Sequence, residues 1–167
     1  TYLAKQAEYY DKKGGLITEG KAKGKKLAFV GYSSAGYKYS EGNYLSGKQT
    51  GEWKYYYANG KLKTLKHYKE GKEEGLVKTF HSNGKLKKVY YCEDDQANSE
   101  FKSYFVNGNI EEKGFYYKGQ SAGEWTEYFV NGNVSEKTYY IDGTSTGTKY
   151  EYDINGNLVE HNILEDG

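Results

Sequence analysis

The residues of this chain that could do chemistry are few and scattered. Its three histidines are His67, His81 and His161, and no two of them stand at a metal-ligand spacing or in a His-Glu-x-x-His motif. The single Cys92 excludes an internal disulfide and a cysteine-based zinc site, and reads as a small buried side chain. Acid pairs stand at Glu73/Glu74 and Glu111/Glu112, where turns or strand edges are expected and a solvated role follows. Catalysis asks for unlike residues converging in a pocket, which this pattern does not offer. The expectation is a protein that is not an enzyme, with no metal site and no cofactor.

What does recur is aromatic. Tyr occurs 21 times, Phe 6 and Trp 2, while Gly occurs 22 times and Pro never. Asn-Gly stands at Asn59, Asn83, Asn107, Asn131 and Asn155, each 24 residues after the last, with weaker copies at Lys13-Gly14 and Ala35-Gly36. Four residues before each turn glycine is a ring every time: Tyr10, Tyr32, Tyr56, Phe80, Tyr104, Tyr128 and Tyr152. Seven before it stand Ala7, Phe29, Trp53, Val77, Phe101, Trp125 and Lys149. Two after it an aliphatic residue is nearly constant, as at Leu62, Leu86, Ile110, Val134 and Leu158. Rings at a fixed interval can hold a sugar or an extended peptide, or can pack on one another to join adjacent segments.

The elements that must position these columns follow from the turns. Asn-Gly between strand-like runs predicts a β-hairpin closed by a two-residue type I′ turn, in which both central residues take positive φ. The return to the next repeat uses a glycine pair four residues apart: Gly47/Gly51, Gly71/Gly75, Gly119/Gly123 and Gly143/Gly147. One repeat has Asp95 and Ser99 instead, which marks Glu93-Asp94-Asp95 as a candidate longer, mobile or functional loop. The predicted fold is all-β: an elongated solenoid or ribbon of tandem 24-residue antiparallel β-hairpins, with roughly thirteen strands. A single repeat domain is expected over residues 1–167, with weak repeats at about 8–43 and clear ones at about 44–167.

Two-residue turns and strand alternation put Trp53, Tyr57, Leu62 and Tyr68 on one face and Tyr56, Leu65 and His67 on the other. Both faces are half apolar, so the pattern does not say which is the core. Lys149 and Asp153 make the first face polar in the last repeat, as a terminal cap requires.

The formal net charge is +1, but residues 1–92 carry 19 Lys against 8 acids and residues 93–167 carry 5 Lys against 15. Opposite end charges would favour head-to-tail self-association. All basic residues are Lys, and the lack of the Arg fork together with the acidic half makes nucleic acid an unexpected partner. Trp53 and Trp125 stand three repeats apart, too sparse for a repeated cation cage of the choline-binding kind. No apolar run approaches the roughly 18 residues of a transmembrane helix. The residues fix no compartment; a start at Thr1 in a chain without Met leans toward a processed product, periplasmic or on the cell surface rather than cytoplasmic.

The run Gly51-Glu52-Trp53-Lys54-Tyr55-Tyr56-Tyr57-Ala58-Asn59-Gly60-Lys61-Leu62, followed by Tyr68-Lys69-Glu70-Gly71-Lys72-Glu73-Glu74-Gly75, resembles the bacterial variant of the MORN repeat. The resemblance covers residues 44–167 well and 8–43 loosely. It implies a β-hairpin ribbon serving as an interaction module. Related bacterial proteins are antitoxin-like, and MORN arrays elsewhere are linked to membrane association and scaffolding.

The expected function is that of a non-enzymatic binding or scaffold protein, with another protein as the foremost partner. The alternatives are a cell-envelope glycan-binding repeat protein and an antitoxin-like partner of a toxin. The candidate binding residues are Tyr32, Tyr56, Phe80, Tyr104, Tyr128 and Tyr152, with Trp53 and Trp125 as anchors if their face is the open one.

Overall fold

The computed structural model describes residues 6–10, 16–23, 25–141 and 143–163, with side chains from residue 25 onward except at 146 and 147. The Lys13-Gly14 turn and the side chains of Ala7 and Tyr10 lie outside the described residues. The fold is all-β, without a helix among the described residues, and every strand pair is antiparallel. No helix there is long and apolar enough to cross a membrane.

Two compact units divide the chain, Thr1–Gly84 and Lys85–Gly167. The first holds β1 (Gln6–Tyr10), β2 (Leu16–Lys23), β3 (Lys26–Tyr32), β4 (Lys38–Leu45), β5 (Lys48–Tyr56), β6 (Leu62–Lys69), β7 (Lys72–Glu73) and β8 (Gly75–Phe80). The second holds β9 (Leu86–Glu93), β10 (Gln96–Ala97), β11 (Ser99–Tyr104), β12 (Ile110–Tyr117), β13 (Gln120–Tyr128), β14 (Val134–Ile141), β15 (Thr144–Tyr152) and β16 (Leu158–Asn162). Within each unit the strands form a meander, each paired to the next along the chain, with the short β7 and β10 on β6 and β9. Among the described residues sixteen strands stand where roughly thirteen were expected, two of them added because Glu74 and Asn98 interrupt two of the returning segments. Their N–H groups still bond back to His67 O and Tyr91 O, each at 2.9 Å.

The Asn-Gly loops are not two-residue type I′ turns. Gly60 donates to Tyr57 O and Tyr57 donates to Lys61 O, both at 2.9 Å, so the loop is Ala58-Asn59-Gly60. Only Gly60 has positive φ, at 79°, which makes this a type I turn followed by a left-handed glycine. Phe105, Phe129 and Asp153 open loops of the same construction. Asparagine is there for its side chain. Asn59 Oδ1 accepts from Lys61 N at 3.1 Å, and its Nδ2 reaches Ser82 O in the next loop at 3.2 Å. Asn107 and Asn131 repeat this, donating to Val130 O and Ile154 O. The loops are therefore stitched into a ladder within each unit.

The type I′ turns sit at the other end of each hairpin. Ser46-Gly47, Glu70-Gly71 and Lys118-Gly119 each place two residues at positive φ between paired strand ends such as Lys69 and Lys72. Asp94-Asp95 is the same two-residue turn, with φ of 49° and 68°. It is neither longer than its counterparts nor built differently. Aspartate accepts the left-handed region because its short polar side chain bonds locally.

The three-residue loop also shifts the register. Tyr55 pairs with Thr64 but Tyr56 pairs with Leu62, leaving Lys63 as an extra residue; the same shift recurs at Tyr32, Tyr104, Tyr128 and Tyr152. Leu62 therefore aligns with Tyr56, not with Trp53 as the two-residue turn required, and Tyr57 lies between the end of β5 and the loop.

One face carries the core. Trp53 and Trp125 are 2% and 6% exposed, and Val77, Cys92 and Phe101 are buried with them. In the first unit Phe29, Tyr44 and Tyr68 surround Trp53 with ring centroids 5.1–6.2 Å away. In the second, Phe101, Tyr116 and Tyr140 surround Trp125 at 4.8–6.3 Å. Edge-to-face and tilted contacts of this kind add about 0.5–1.5 kcal/mol each beyond the burial of area.

Each tryptophan lies against a glycine. Between the pairs Glu41/Lys54 and Asn43/Thr50, Gly42 faces three residues, 51 to 53; between Lys113/Thr126 and Phe115/Ala122, Gly114 faces residues 123 to 125. The carbonyl of the residue after the glycine receives the indole: Trp53 Nε1 donates to Asn43 O at 3.1 Å and Trp125 Nε1 to Phe115 O at 3.2 Å. A Cβ on Gly42 or Gly114 would lie 2.2 Å from the indole ring. Gly42→Ala should cost about 3 kcal/mol of stability in urea unfolding. In the same assay, Asp95→Gly should add about 1 kcal/mol by removing the left-handed strain of a side-chain-bearing residue.

Candidate functional site

Strand alternation sends the six-ring column away from the core. Tyr32, Tyr56, Phe80, Tyr104, Tyr128 and Tyr152 all lie half-buried on the face opposite the tryptophans. They are held by their neighbours. The Tyr56 hydroxyl donates to Glu41, and Lys38 Nζ sits 4.3 Å from the centre of its ring. Lys113 Nζ stands 5.6 Å from the Tyr128 ring, and the Phe80 carbonyl accepts from Tyr57 OH at 2.7 Å. Trp53 and Trp125 are core residues of the other face, so they do not stand open beside the column.

A second column on this opposite face is more exposed. Seven residues after Gly60, Gly84, Gly108 and Gly132 stand His67, Tyr91, Phe115 and Tyr139; the last three are 43%, 42% and 45% exposed. In the second unit Tyr117 and Ile141 are exposed beside them at the strand ends, and in the first unit Leu45 is exposed at the same place of its strand. The signal was in the sequence as a second 24-residue aromatic column. It separates from the first only when the bulge at Gly42 or Gly114 shows which carbonyl its own residue contributes to the indole.

Two hollows open on this face, one in each unit, at the two tryptophan-on-glycine bulges. In the first unit a hollow of about 320 Å³ lies among Val30, Glu41, Asn43, Glu52 and Lys54. In the second a hollow of about 520 Å³ lies among Glu100, Lys102, Lys113, Phe115, Glu124 and Thr126. The same repeat positions line both. Their charges are largely neutralised: Lys54 pairs with Glu52 at 2.9 Å, Lys102 with Glu100 at 3.2 Å and Lys137 with Glu124 at 3.3 Å. The hydroxyl of Tyr56 and the amines of Lys38 and Lys54 outweigh partial burial and hold the Glu41 carboxyl below its ordinary value. Burial and Glu41 in turn push the Tyr56 hydroxyl up.

The histidines do not converge. His67 approaches Glu52 at 4.0 Å across an exposed pair, and His161 stacks on Tyr150 with centroids 4.5 Å apart. Among the described residues no group of three or more His, Cys, Asp and Glu side chains could hold a metal ion. The acids expected to be solvated are not all so. Glu112 is half-buried within β12, and Glu73, also half-buried, pairs with Lys66 and accepts from Tyr68 OH at 3.2 Å.

These hairpins, with their glycine-closed loops and paired returns, define a tandem β-hairpin repeat protein. Three of its segments, residues 49–70, 73–93 and 122–142, match the MORN repeat variant. No curated protein matches the chain. Among solved structures, S. aureus TarM is 14% identical over 58% of this chain and 19% of its own, with a TM-score of 0.37. A TarM mutant in complex with fondaparinux, alpha-GlcNAc-glycerol and UDP is 13% identical over 57% of this chain and 19% of its own, also at 0.37. The Photorhabdus luminescens Tc holotoxin pore is 17% identical over 93% of this chain and 9% of its own, at 0.30. The chain thus spans a fifth or less of the length of these structures.

Removing the hydroxyl in Tyr56→Phe should raise the Glu41 carboxyl toward the ordinary glutamate range, read by carboxyl-carbon titration in NMR. A carboxyl held low contributes stability above its unfolded value that is lost as pH falls through the folded one. The variant should therefore lose the part of the acid sensitivity that Glu41 carries.

Proposed function

We propose that the protein is a non-enzymatic binding module that engages another protein through the face opposite the tryptophans. The observation that supports this reading is the division of labour between faces. One is closed by an aromatic core, while in the second unit the other presents Tyr91, Phe115 and Tyr139 more than two-fifths exposed, next to Tyr117 and Ile141. Exposed rings repeated on one sheet face mark an interaction surface more than a folding requirement. The hollows at Gly42 and Gly114 lie on the same face and offer paired charges at their rims, suited to seating polar side chains of a partner. MORN repeats are associated with binding and scaffolding, which agrees with this assignment.

A glycan reading has less support, since the exposed rings are flanked by the Lys102–Glu100 and Lys137–Glu124 pairs rather than by free hydroxyl-binding groups. An antitoxin-like role is one form of protein binding, and no residue here selects it.

The test places a photo-crosslinking amino acid at position 115 or 139, on the proposed face, and at position 64, on the tryptophan face. Protein adducts from 115 and 139 but not from 64 are expected in the native cell. With the crosslinker at 115, Tyr91→Ser together with Tyr139→Ser should abolish those adducts while leaving the thermal unfolding curve within a few degrees of the parent. Adducts of equal strength from position 64 would contradict the assignment.

A further inference from the structure

Across the second unit, one row on the tryptophan face reads Glu112, Glu127, Glu136, Glu151 and Glu160, each directly opposite the next: Glu112 with Glu127, Glu127 with Glu136, Glu136 with Glu151, and Glu151 with Glu160. Five successive strands therefore set like charges at the closest cross-strand positions, the arrangement that weakens a sheet. We infer that this row is a pH-sensitive device, which loosens the second unit at neutral pH and tightens it as the medium acidifies.

The first unit supplies an internal comparison. Its equivalent row is Ser40, Tyr55, Thr64 and Thr79, paired in the same succession and free of charge. The geometry is shared and only the chemistry differs.

Charged and titratable groups face the row from β9, β12, β14 and β15, Tyr116 and Tyr140 among them. From β9 comes Lys88, paired with Ser103 of β11; from β12, Glu111 reaches the Ser103 hydroxyl at 3.3 Å. From β15, Lys149 lies 3.1 Å from Glu136 and 2.7 Å from Glu151. Two lysines thus stand against six carboxylates. Lys149 neutralises the Glu136/Glu151 end and leaves Glu112 and Glu127 to repel each other. Burial first, then Glu127 and Glu111, hold the Glu112 carboxyl above its ordinary value; burial, then Glu136, does the same for Glu127. A carboxyl raised in the folded state binds its proton more tightly there than in the open chain. Its contribution is complete below the unfolded value near 4.5 and is lost as pH rises through the folded value. Glu124 and Asp153, held low, stay ionised at pH 5 and do not mask the effect.

Hydrogen exchange corrected for the intrinsic rate, followed by mass spectrometry on the whole chain at about pH 7.5 and about pH 5.0, reads this directly. Protection across β12 to β16 should rise several-fold on acidification as Glu112 and Glu127 take up protons, while β4 to β8 stay unchanged. The double variant Glu112→Gln, Glu127→Gln should show the acid-state protection already at pH 7.5. Glu93→Gln, also in the second unit but outside the row, should keep the pH response of the parent. Should the double variant fail to fold, Glu127→Tyr serves in its place, since Tyr55 holds that place in the first unit. For the parent alone, raising salt from about 20 mM to about 500 mM at pH 7.5 should reproduce part of the gain. Equal protection of the second unit at both pH values, or a gain shared equally by β4 to β8, would overturn the inference.

Discussion

The contact on which each unit depends is an indole lying flat on a glycine backbone. Trp53 on Gly42 and Trp125 on Gly114 leave no room for a Cβ, and each indole N–H donates to the carbonyl of the residue after that glycine. A single-layer sheet has no second layer to bury its apolar side chains. These tryptophans do the work of one by covering their own neighbour strand and gathering Phe29, Tyr44 and Tyr68, or Phe101, Tyr116 and Tyr140, around them. Because the ring needs a bare backbone under it, tryptophan and glycine come as a pair eleven residues apart. Where the column holds Val77 or Phe101, the position eleven earlier is Lys66 or Tyr90 instead.

That pairing shapes the opposite face as well. Three residues facing one glycine leave a stretch of ladder unpaired, and both hollows open at that stretch. The side chains of Asn43 and Phe115 point away from the indole that their carbonyls receive, so the residue that completes the core contact also stands at the rim of the hollow. Core and surface are thus two sides of one bulge. Substitutions on the exposed rings can leave the fold alone, whereas substitutions at the glycines cannot.

Much of this was legible in the sequence, and the misses have definite causes. The 24-residue period, the hairpins, the all-β class and the opposition of Trp53 to Tyr56 follow from spacing and alternation alone. The turn type did not. Asn-Gly satisfies a type I′ turn and a type I turn with a left-handed glycine equally well, and the choice here is made by amide bonds from Asn59, Asn107 and Asn131 to the following loop, which no local pattern encodes. That difference moved Leu62 to the other side of the strand. The choice of core face was likewise open until Gly42 and Gly114 were seen beneath the tryptophans. The acidic row was half visible: the segregation of charge into residues 93–167 was plain, but only the bulge-shifted register lines up Glu112, Glu127, Glu136 and Glu151.

The most direct measurement of the central claim is a double-mutant cycle at one tryptophan and its glycine. The stability cost of Gly42→Ala would be taken from urea unfolding in the parent and again in a Trp53→Val background, valine being the residue this column holds at Val77. If the indole is what forbids a side chain at Gly42, most of the cost disappears once the ring is gone, and the coupling is about 2 kcal/mol or more. An equal cost in both backgrounds would show that the glycine is required by the backbone alone and that the tryptophan contact does not organise the sheet.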